Sequence, residues 1–152
     1  MHWNVMFIVF DLDGTLALNQ HRNHFIEKGV PDWDSYLAAC GDDGVNLPIV
    51  EVYHTLLDCC EDGIDVHRVE VWTGRSDAVK NLTNEWFRKN DVPFPDAIRM
   101  RPASDYRPDT VLKQEWMDEH GKPDLVFDDR SSVIAMFRSH GVMAAQVAEG
   151  NF

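Results

Sequence analysis

Basic residues are scarce in this chain. It carries 14 Lys and Arg against 26 Asp and Glu, a formal net charge of −12. Sequence-independent binding to duplex DNA is driven by neutralising phosphates, so a general DNA coat is excluded. A polybasic membrane patch is missing for the same reason. No apolar run approaches the roughly 20 residues that span a bilayer, so no membrane partner is expected. The run Val5–Phe10 stops at Asp11, lacks a basic flank and has no small-residue cleavage site after it. It does not read as a signal peptide, and a cytoplasmic location is the expectation. Cysteine is limited to Cys40, Cys59 and Cys60, with no CxxC. An adjacent pair bridges poorly, so buried or half-buried free thiols in a reducing compartment are expected. Internal repeats and low-complexity stretches are absent.

What is present suffices for one folded unit. At about 150 residues per domain, 152 residues imply a single domain spanning 1–152. A hydrophobic content of 44% supplies a core, which argues against disorder. Short apolar runs alternate with amphipathic segments. Val5–Phe10, Val66–Trp72, Ala97–Met100, Leu125–Phe127 and Val142–Val147 read as strands. Leu47–Glu61, Ser76–Asn90, Asp109–His120 and Ser131–His140 read as helices. The inward residues expected for them include Val50, Tyr53, His54, Leu57 and Cys60, then Val79, Leu82, Trp86 and Phe87, then Val111, Leu112, Trp116 and Met117. Such alternation predicts an α/β fold: about five parallel strands with helices on both faces. Residues 19–46, rich in glycine and holding a short helix near Asp32–Cys40, read as a small insertion after the first strand. In open α/β sheets ligands sit beyond the carboxyl ends of the strands.

Three of those strand ends carry chemistry. The first runs into Asp11-Leu12-Asp13-Gly14-Thr15. Two carboxylates beside a core are costly unless a cation compensates them. They suit a nucleophile and an acid/base with a hard cation between them and a phosphate. The plainer alternative is a turn with solvated aspartates. The second strand runs into Thr73-Gly74-Arg75-Ser76. A hydroxyl, a guanidinium and a helix N-terminus make an anion site, or else Thr73 and Ser76 merely cap a helix. The fourth ends in Asp128-Asp129-Arg130, either a divalent-cation site or a structural ion pair with Arg130. Lys113, near the start of its helix, matters only if it projects toward these ends; otherwise it is a solvated charge.

Taken together, Asp11-x-Asp13-Gly14-Thr15, Thr73, Lys113 and Asp128-Asp129 resemble the four motifs of the haloacid dehalogenase superfamily, in order and across nearly the whole chain. The resemblance implies a HAD-like Rossmannoid fold and a Mg²⁺-dependent phosphoric monoester hydrolase. Asp11 would form an aspartyl-phosphate, and Asp13 would act as general acid/base. Thr73 and Lys113 would hold the phosphoryl oxygens. Asp11, Asp128, Asp129 and the backbone carbonyl of Asp13 would surround the metal. A closer likeness is to the 3′-phosphatase domain of phage-type polynucleotide kinase/phosphatases. Arg22, Thr73-Gly74-Arg75, Arg101, Asp109 and Lys113, Asp128-Asp129-Arg130 and the ending Gln146–Phe152 carry it. It implies that Arg22, Gly74, Arg75, Arg101 and Asp109 join Thr73 and Lys113 in substrate binding. No GxxxxGK[ST] occurs, so 5′-kinase activity is not expected.

The expected substrate is therefore a phosphorylated nucleic-acid end, DNA or RNA. Nucleoside monophosphates or other small phosphomonoesters are the alternative, and a non-catalytic phosphate-binding module is the alternative of another class. Specificity is expected from the cap-like insertion, where Trp33 and Tyr36 with Arg22 and Lys28 would stack a base and hold a phosphate. Otherwise Trp33 and Tyr36 pack the insertion onto the domain. Trp3 and Trp116 are expected in the core or at an interface.

Overall fold

A computed structural model describes residues 4–65 and 67–151. In chain order the elements are β1 (Met6–Phe10), β2 (Ala17–Leu18), α1 (His24–Glu27), α2 (Trp33–Ala38), β3 (Gly44–Val45) and α3 (Leu47–Leu57). They continue as β4 (Cys60–Glu61), β5 (Ile64–Asp65), β6 (His67–Ser76), α4 (Lys80–Lys89) and β7 (Ala97–Arg101). The last four are α5 (Asp109–His120), β8 (Leu125–Asp128), α6 (Ser131–Ser139) and β9 (Met143–Gln146).

The main sheet has the order β7-β6-β1-β8-β9, with every neighbouring pair parallel. The expected five parallel strands are thus all there. β1 is central because it is apolar on both faces. Ile8 and Phe10 face one core with Val69, Val71, Tyr53, Trp86 and Phe87, under α3 and α4. Phe7 and Val9 face the other with Trp72, Met117, Ile134 and Phe137, under α5 and α6. Alternation along one strand therefore puts a helical layer on each face. Trp116 packs against the second core, with its ring 6.0 Å from that of Trp72. Trp3 and Val66 lie outside the described residues.

The order places the carboxyl end of β1 between those of β6 and β8, where the strand order reverses. This crevice is where ligands bind in doubly wound sheets. Asp11, Thr73 and Asp128 stand at those three neighbouring ends.

Several boundaries differ from expectation, for physical reasons. α3 stops at Leu57, and Cys60–Glu61 pairs antiparallel with Ile64–Asp65. Asp62 and Gly63, at φ 53° and 78°, make the left-handed turn of a two-residue hairpin. Cys60 is therefore exposed rather than inward, and His54 is exposed too. Cys40 is buried and Cys59 half-buried, all three thiols being free. β6 runs on through Thr73-Gly74-Arg75 to Ser76, with irregular pairing to β7 between Thr73 and Ser76. The Ser76 side chain accepts from Ala78 N at 3.2 Å, capping a short 3-10 turn before α4. Val111 is more than one-third exposed, because α5 turns Leu112, Lys113 and Met117 inward instead.

The segment after β1 leaves the sheet through a neck. β2 and β3 pair antiparallel, Ala17 opposite Val45, and enclose α1 and α2. Asp32 caps α2 by accepting from Ser35 N at 3.0 Å.

Candidate active site

Asp11 leaves β1 with its amide donating to Phe127 O at 2.9 Å, so it stays registered to β8. Its carboxylate is buried. The Lys113 ammonium, on the second turn of α5, donates to Asp11 Oδ1 at 2.8 Å and to Asp128 Oδ2 at 2.7 Å. Lys113 is only 2% exposed, so it is no solvated helix charge. Burial opposes its charge, but Asp11, Asp128 and Asp109 hold it protonated well above the usual lysine range.

One oxygen from each of Asp11, Asp128 and Asp129 lies within 4.8 Å of the others. Against these three carboxylates stand the Lys113 ammonium and, beside Asp129, the Arg130 guanidinium, which still leaves an excess of negative charge. Burial and the neighbouring Asp128 push the Asp129 carboxyl up to about 6. The same two causes, with Asp129 added and Lys113 opposing, raise Asp11. A trio of oxygen donors this hungry for a cation fits Mg²⁺, which takes carboxylate ligands and retains waters. Gly14 is required here. Its φ is +82°, and a Cβ would stand 2.2 Å from Asp129 Oδ2.

Asp13, two residues after Asp11, points elsewhere. Its carboxylate receives Arg22 Nη2 at 2.7 Å, Arg75 Nε at 3.3 Å and a short contact from Arg75 Nη2. Burial would raise its pKa, but Arg75 and Arg22 outweigh burial and lower it. The side chain of Asp13 therefore stands outside the carboxylate trio.

The arginines expected to bind substrate are engaged with protein acceptors in the free protein. Arg22 and Arg75 have fully buried side chains, and both engage Asp43 as well as Asp13. Arg22 binds Asp43 through Nε and Nη2, each at 2.8 Å, and Arg75 Nη2 reaches it at 3.0 Å. Arg75 Nη1 also donates to Thr83 Oγ1 at 3.1 Å. Arg101 donates to Gly74 O at 2.8 Å, to Asp105 O at 3.1 Å, to Arg107 O and to Asp109. Asp109 also meets Arg130 at 3.3 Å. Arg130 thus pairs with Asp109 through its side chain, while its amide donates to Asp128 Oδ1 at 2.8 Å. Thr73 Oγ1 accepts from Arg75 N at 3.1 Å, which orients its hydroxyl beside the β1 end.

Asp43 was not singled out by the sequence. It sits in the insertion, is 2% exposed, and also meets His21 Nε2 at 2.8 Å. The only hint is the acidic Asp42-Asp43 within Gly41–Gly44, which reads as an ordinary turn. In the same segment, Tyr36 packs its ring 4.2 Å from the Arg22 guanidinium carbon, and its hydroxyl accepts from Asn19 at 2.8 Å. Trp33 meets Tyr36 edge-on yet stays 56% exposed, and Lys28 is exposed.

Among the described residues no helix is long and apolar enough to cross a membrane. Two solved structures share the fold closely. A chain of the "Pnkp1/Rnl/Hen1 RNA repair complex" is 25% identical with a TM-score of 0.80, covering 97% of this chain and 44% of that one. A chain of a second "Pnkp1/Rnl/Hen1 complex" is 27% identical with a TM-score of 0.79, covering 97% and 48%. The present chain spans less than half the length of either. A haloacid dehalogenase-like family hydrolase from Streptococcus pneumoniae shares the fold at 16% identity and a TM-score of 0.55, covering 92% and 83%. The family profile described as "Polynucleotide kinase PNKP phosphatase domain" matches residues 5–152. The chain therefore belongs to the PNKP phosphatase domain family of haloacid dehalogenase-type phosphatases, and is a phosphoric monoester hydrolase.

Proposed function

We propose that the protein removes the 3′-phosphate from DNA or RNA ends, through a covalent phosphate on Asp11 and with Mg²⁺ held by Asp11, Asp128, Asp129 and the Asp13 carbonyl. One observation carries the chemistry. Asp11 and Asp13 are two residues apart yet lie in opposite surroundings, one beside Lys113 and two carboxylates, the other between two guanidiniums. In the free protein these surroundings raise Asp11 and lower Asp13, so a cation beside Asp11 would be needed to hold the nucleophile ionised, and the substrate dianion to protonate Asp13.

An Asp11 oxygen attacks phosphorus, and the bond from phosphorus to the 3′ oxygen breaks. The departing oxygen takes a proton from Asp13. Arg22 and Arg75 keep Asp13 ionised in the free protein, and the arriving phosphate dianion opposes them, favouring the protonated form. In the second step Asp13 accepts a proton from the water that attacks phosphorus and releases Asp11. Lys113 and the Thr73 hydroxyl stabilise charge on the transferring group. The metal, when bound, supplies Lewis-acid neutralisation of the phosphoryl oxygens.

The family and the likeness to a chain of the Pnkp1/Rnl/Hen1 RNA repair complex favour a nucleic-acid end as substrate. The test is a panel of 3′-phosphorylated DNA and RNA oligonucleotides, 3′-nucleotides and 5′-nucleotides, each with and without Mg²⁺. Preferential, Mg²⁺-dependent release from 3′-phosphorylated strands is expected, with Asp11→Asn folded and inactive. Equal turnover of 5′-nucleotides would move the substrate to small phosphomonoesters. Normal turnover by Asp11→Asn would remove the covalent mechanism.

A further inference from the structure

The loop between β7 and α5, residues 102–108, lies at the carboxyl edge of the sheet, beside the site. It is short, rich in proline at its ends, and held from several directions. Asp105 N donates to Pro102 O at 2.9 Å, closing a turn. Ala103 N donates to Asp77 Oδ1 at 2.9 Å, two residues beyond Arg75. Arg107 binds its own neighbour Asp105 and also Glu115 on α5, through Nη2 at 2.9 Å to Glu115 Oε2.

The tightest restraint comes from one guanidinium. Arg101 Nη1 donates to both Asp105 O and Arg107 O, the two carbonyls that flank Tyr106. The same side chain reaches Gly74 O at 2.8 Å and the Asp109 carboxylate. The backbone around Tyr106 is thereby tied to the Thr73-Gly74-Arg75 turn and to the start of the helix that delivers Lys113. Yet the Tyr106 side chain is 91% exposed and has no hydrogen bond or ring contact among the described residues.

A rigid loop that carries an uncommitted aromatic at its apex is pre-organised for stacking. Little further ordering is lost when a flat partner lands on it, and Tyr gives up few rotamers. The site's own polar groups are occupied in the meantime. In the free protein the Arg22, Arg75 and Arg101 side chains are paired with protein carboxylates. A base on an aromatic face adds grip on the nucleoside side without needing a free charge. The net charge of −12 points the same way, since it weakens backbone tracking.

We propose that Tyr106 is a specificity-determining residue, the platform on which the base of the 3′-terminal nucleotide stacks while its phosphate enters the site. Arg101 is then a positioning residue that fixes this platform relative to the phosphate turn. The inference rests on the nucleic-acid reading above, and it places base recognition on this loop rather than on the insertion alone.

The experiment compares wild type, Tyr106→Ala and Tyr106→Phe on three substrates. These are a 3′-phosphorylated oligonucleotide, the same strand with an abasic terminal nucleotide, and p-nitrophenyl phosphate. Tyr106→Ala should raise KM on the ordinary strand about tenfold or more, with kcat little changed, and Tyr106→Phe should restore it. On the abasic strand and on p-nitrophenyl phosphate all three proteins should match, and their Tm values should coincide. An ordinary strand turned over alike by wild type and Tyr106→Ala would overturn the platform, as would an equal KM rise on the abasic strand. If wild type cleaves p-nitrophenyl phosphate but no 3′-phosphorylated strand, the nucleic-acid reading itself fails, and the platform with it.

Discussion

A Cβ placed on Gly74 would stand 2.4 Å from Asp109 Oδ1, closer than any side chain tolerates. The two are in contact because the irregular end of β6 brings its backbone against the first turn of α5. Gly74→Ala must therefore push Asp109 away, and with it the pairs that Asp109 makes with Arg101 and Arg130. Gly29→Ala is the control. Gly29 has φ +73° but nothing within 4 Å, so alanine there strains only the backbone, by about 1–2 kcal/mol. Phosphatase assays beside thermal melts should show activity down at least tenfold in Gly74→Ala. Gly29→Ala should lose stability alone. Unchanged kinetics in Gly74→Ala would mean that Asp109 has no part in the site.

Asp43 is the carboxylate that makes two buried arginines tolerable. Removing one partner of a buried ion pair leaves an uncompensated charge, at a cost of about 3–5 kcal/mol. Asp43→Ala should therefore lower the urea midpoint sharply, and Arg22 and Arg75 would then have Asp13 as their one remaining carboxylate. The conservative Asp43→Asn should fall between the two, keeping acceptor geometry without charge. A midpoint equal to wild type in Asp43→Ala would show that water compensates both guanidiniums.

Glu70 forms a second buried charge cluster, on β6 three residues before Thr73 and on the Trp72 side of the sheet. It accepts from Arg99 at 2.9 and 3.1 Å, from Trp72 Nε1 at 2.7 Å and from Arg68 at 2.7 Å. Burial works against its charge, but the bonds from Arg99, Trp72 and Arg68 prevail and hold its carboxyl below the ordinary 4.5. A depressed carboxyl contributes stability that is complete above its unfolded value and is lost as pH falls through the folded one. The acid limb of the stability curve below about pH 4.5 should thus be steeper in wild type than in Glu70→Gln. Glu70→Gln should also be less stable near neutrality. Parallel acid limbs in denaturant titrations would assign the acid sensitivity to other groups.

The sequence and the structure agree where the information is local. Periodicity gives α5 its bounds, Asp109–His120, because apolar spacing and Gly121 mark both face and end. The three motif-bearing strand ends are legible because an apolar strand running into carboxylates is locally anomalous. The hairpin at Cys60–Asp65 carried its own signal in Asp62-Gly63, but a helical stripe extended past Leu57 masked it. Asp43 was invisible for a different reason. Its partners lie 21 and 32 residues away, and only the fold of the insertion over the sheet edge brings them together. The same holds for the arginines, whose chemical type was readable but whose commitment to Asp13, Asp43 and Asp109 was not.

The carboxylate trio makes metal affinity and pH inseparable. Asp129 is pushed up to about 6 and Asp11 is also raised, both by burial and by Asp128. A raised carboxyl means that the folded protein takes up a proton more readily than the unfolded chain. Ionising Asp129 therefore costs the folded state nothing below the ordinary value of 3.8 and the full amount above about 6. A divalent cation offsets that cost only where it exists, and protons compete with it lower down. The rise in Tm on adding Mg²⁺ should accordingly be larger at about pH 8 than at about pH 5, and chelation should reverse it. Asp129→Asn removes one ionisable ligand, so it should melt higher than wild type in chelator at about pH 8, yet gain less from Mg²⁺. Differential scanning fluorimetry across a Mg²⁺ series at the two pH values reads both effects. Equal shifts at both would mean that these carboxylates are not where the metal binds.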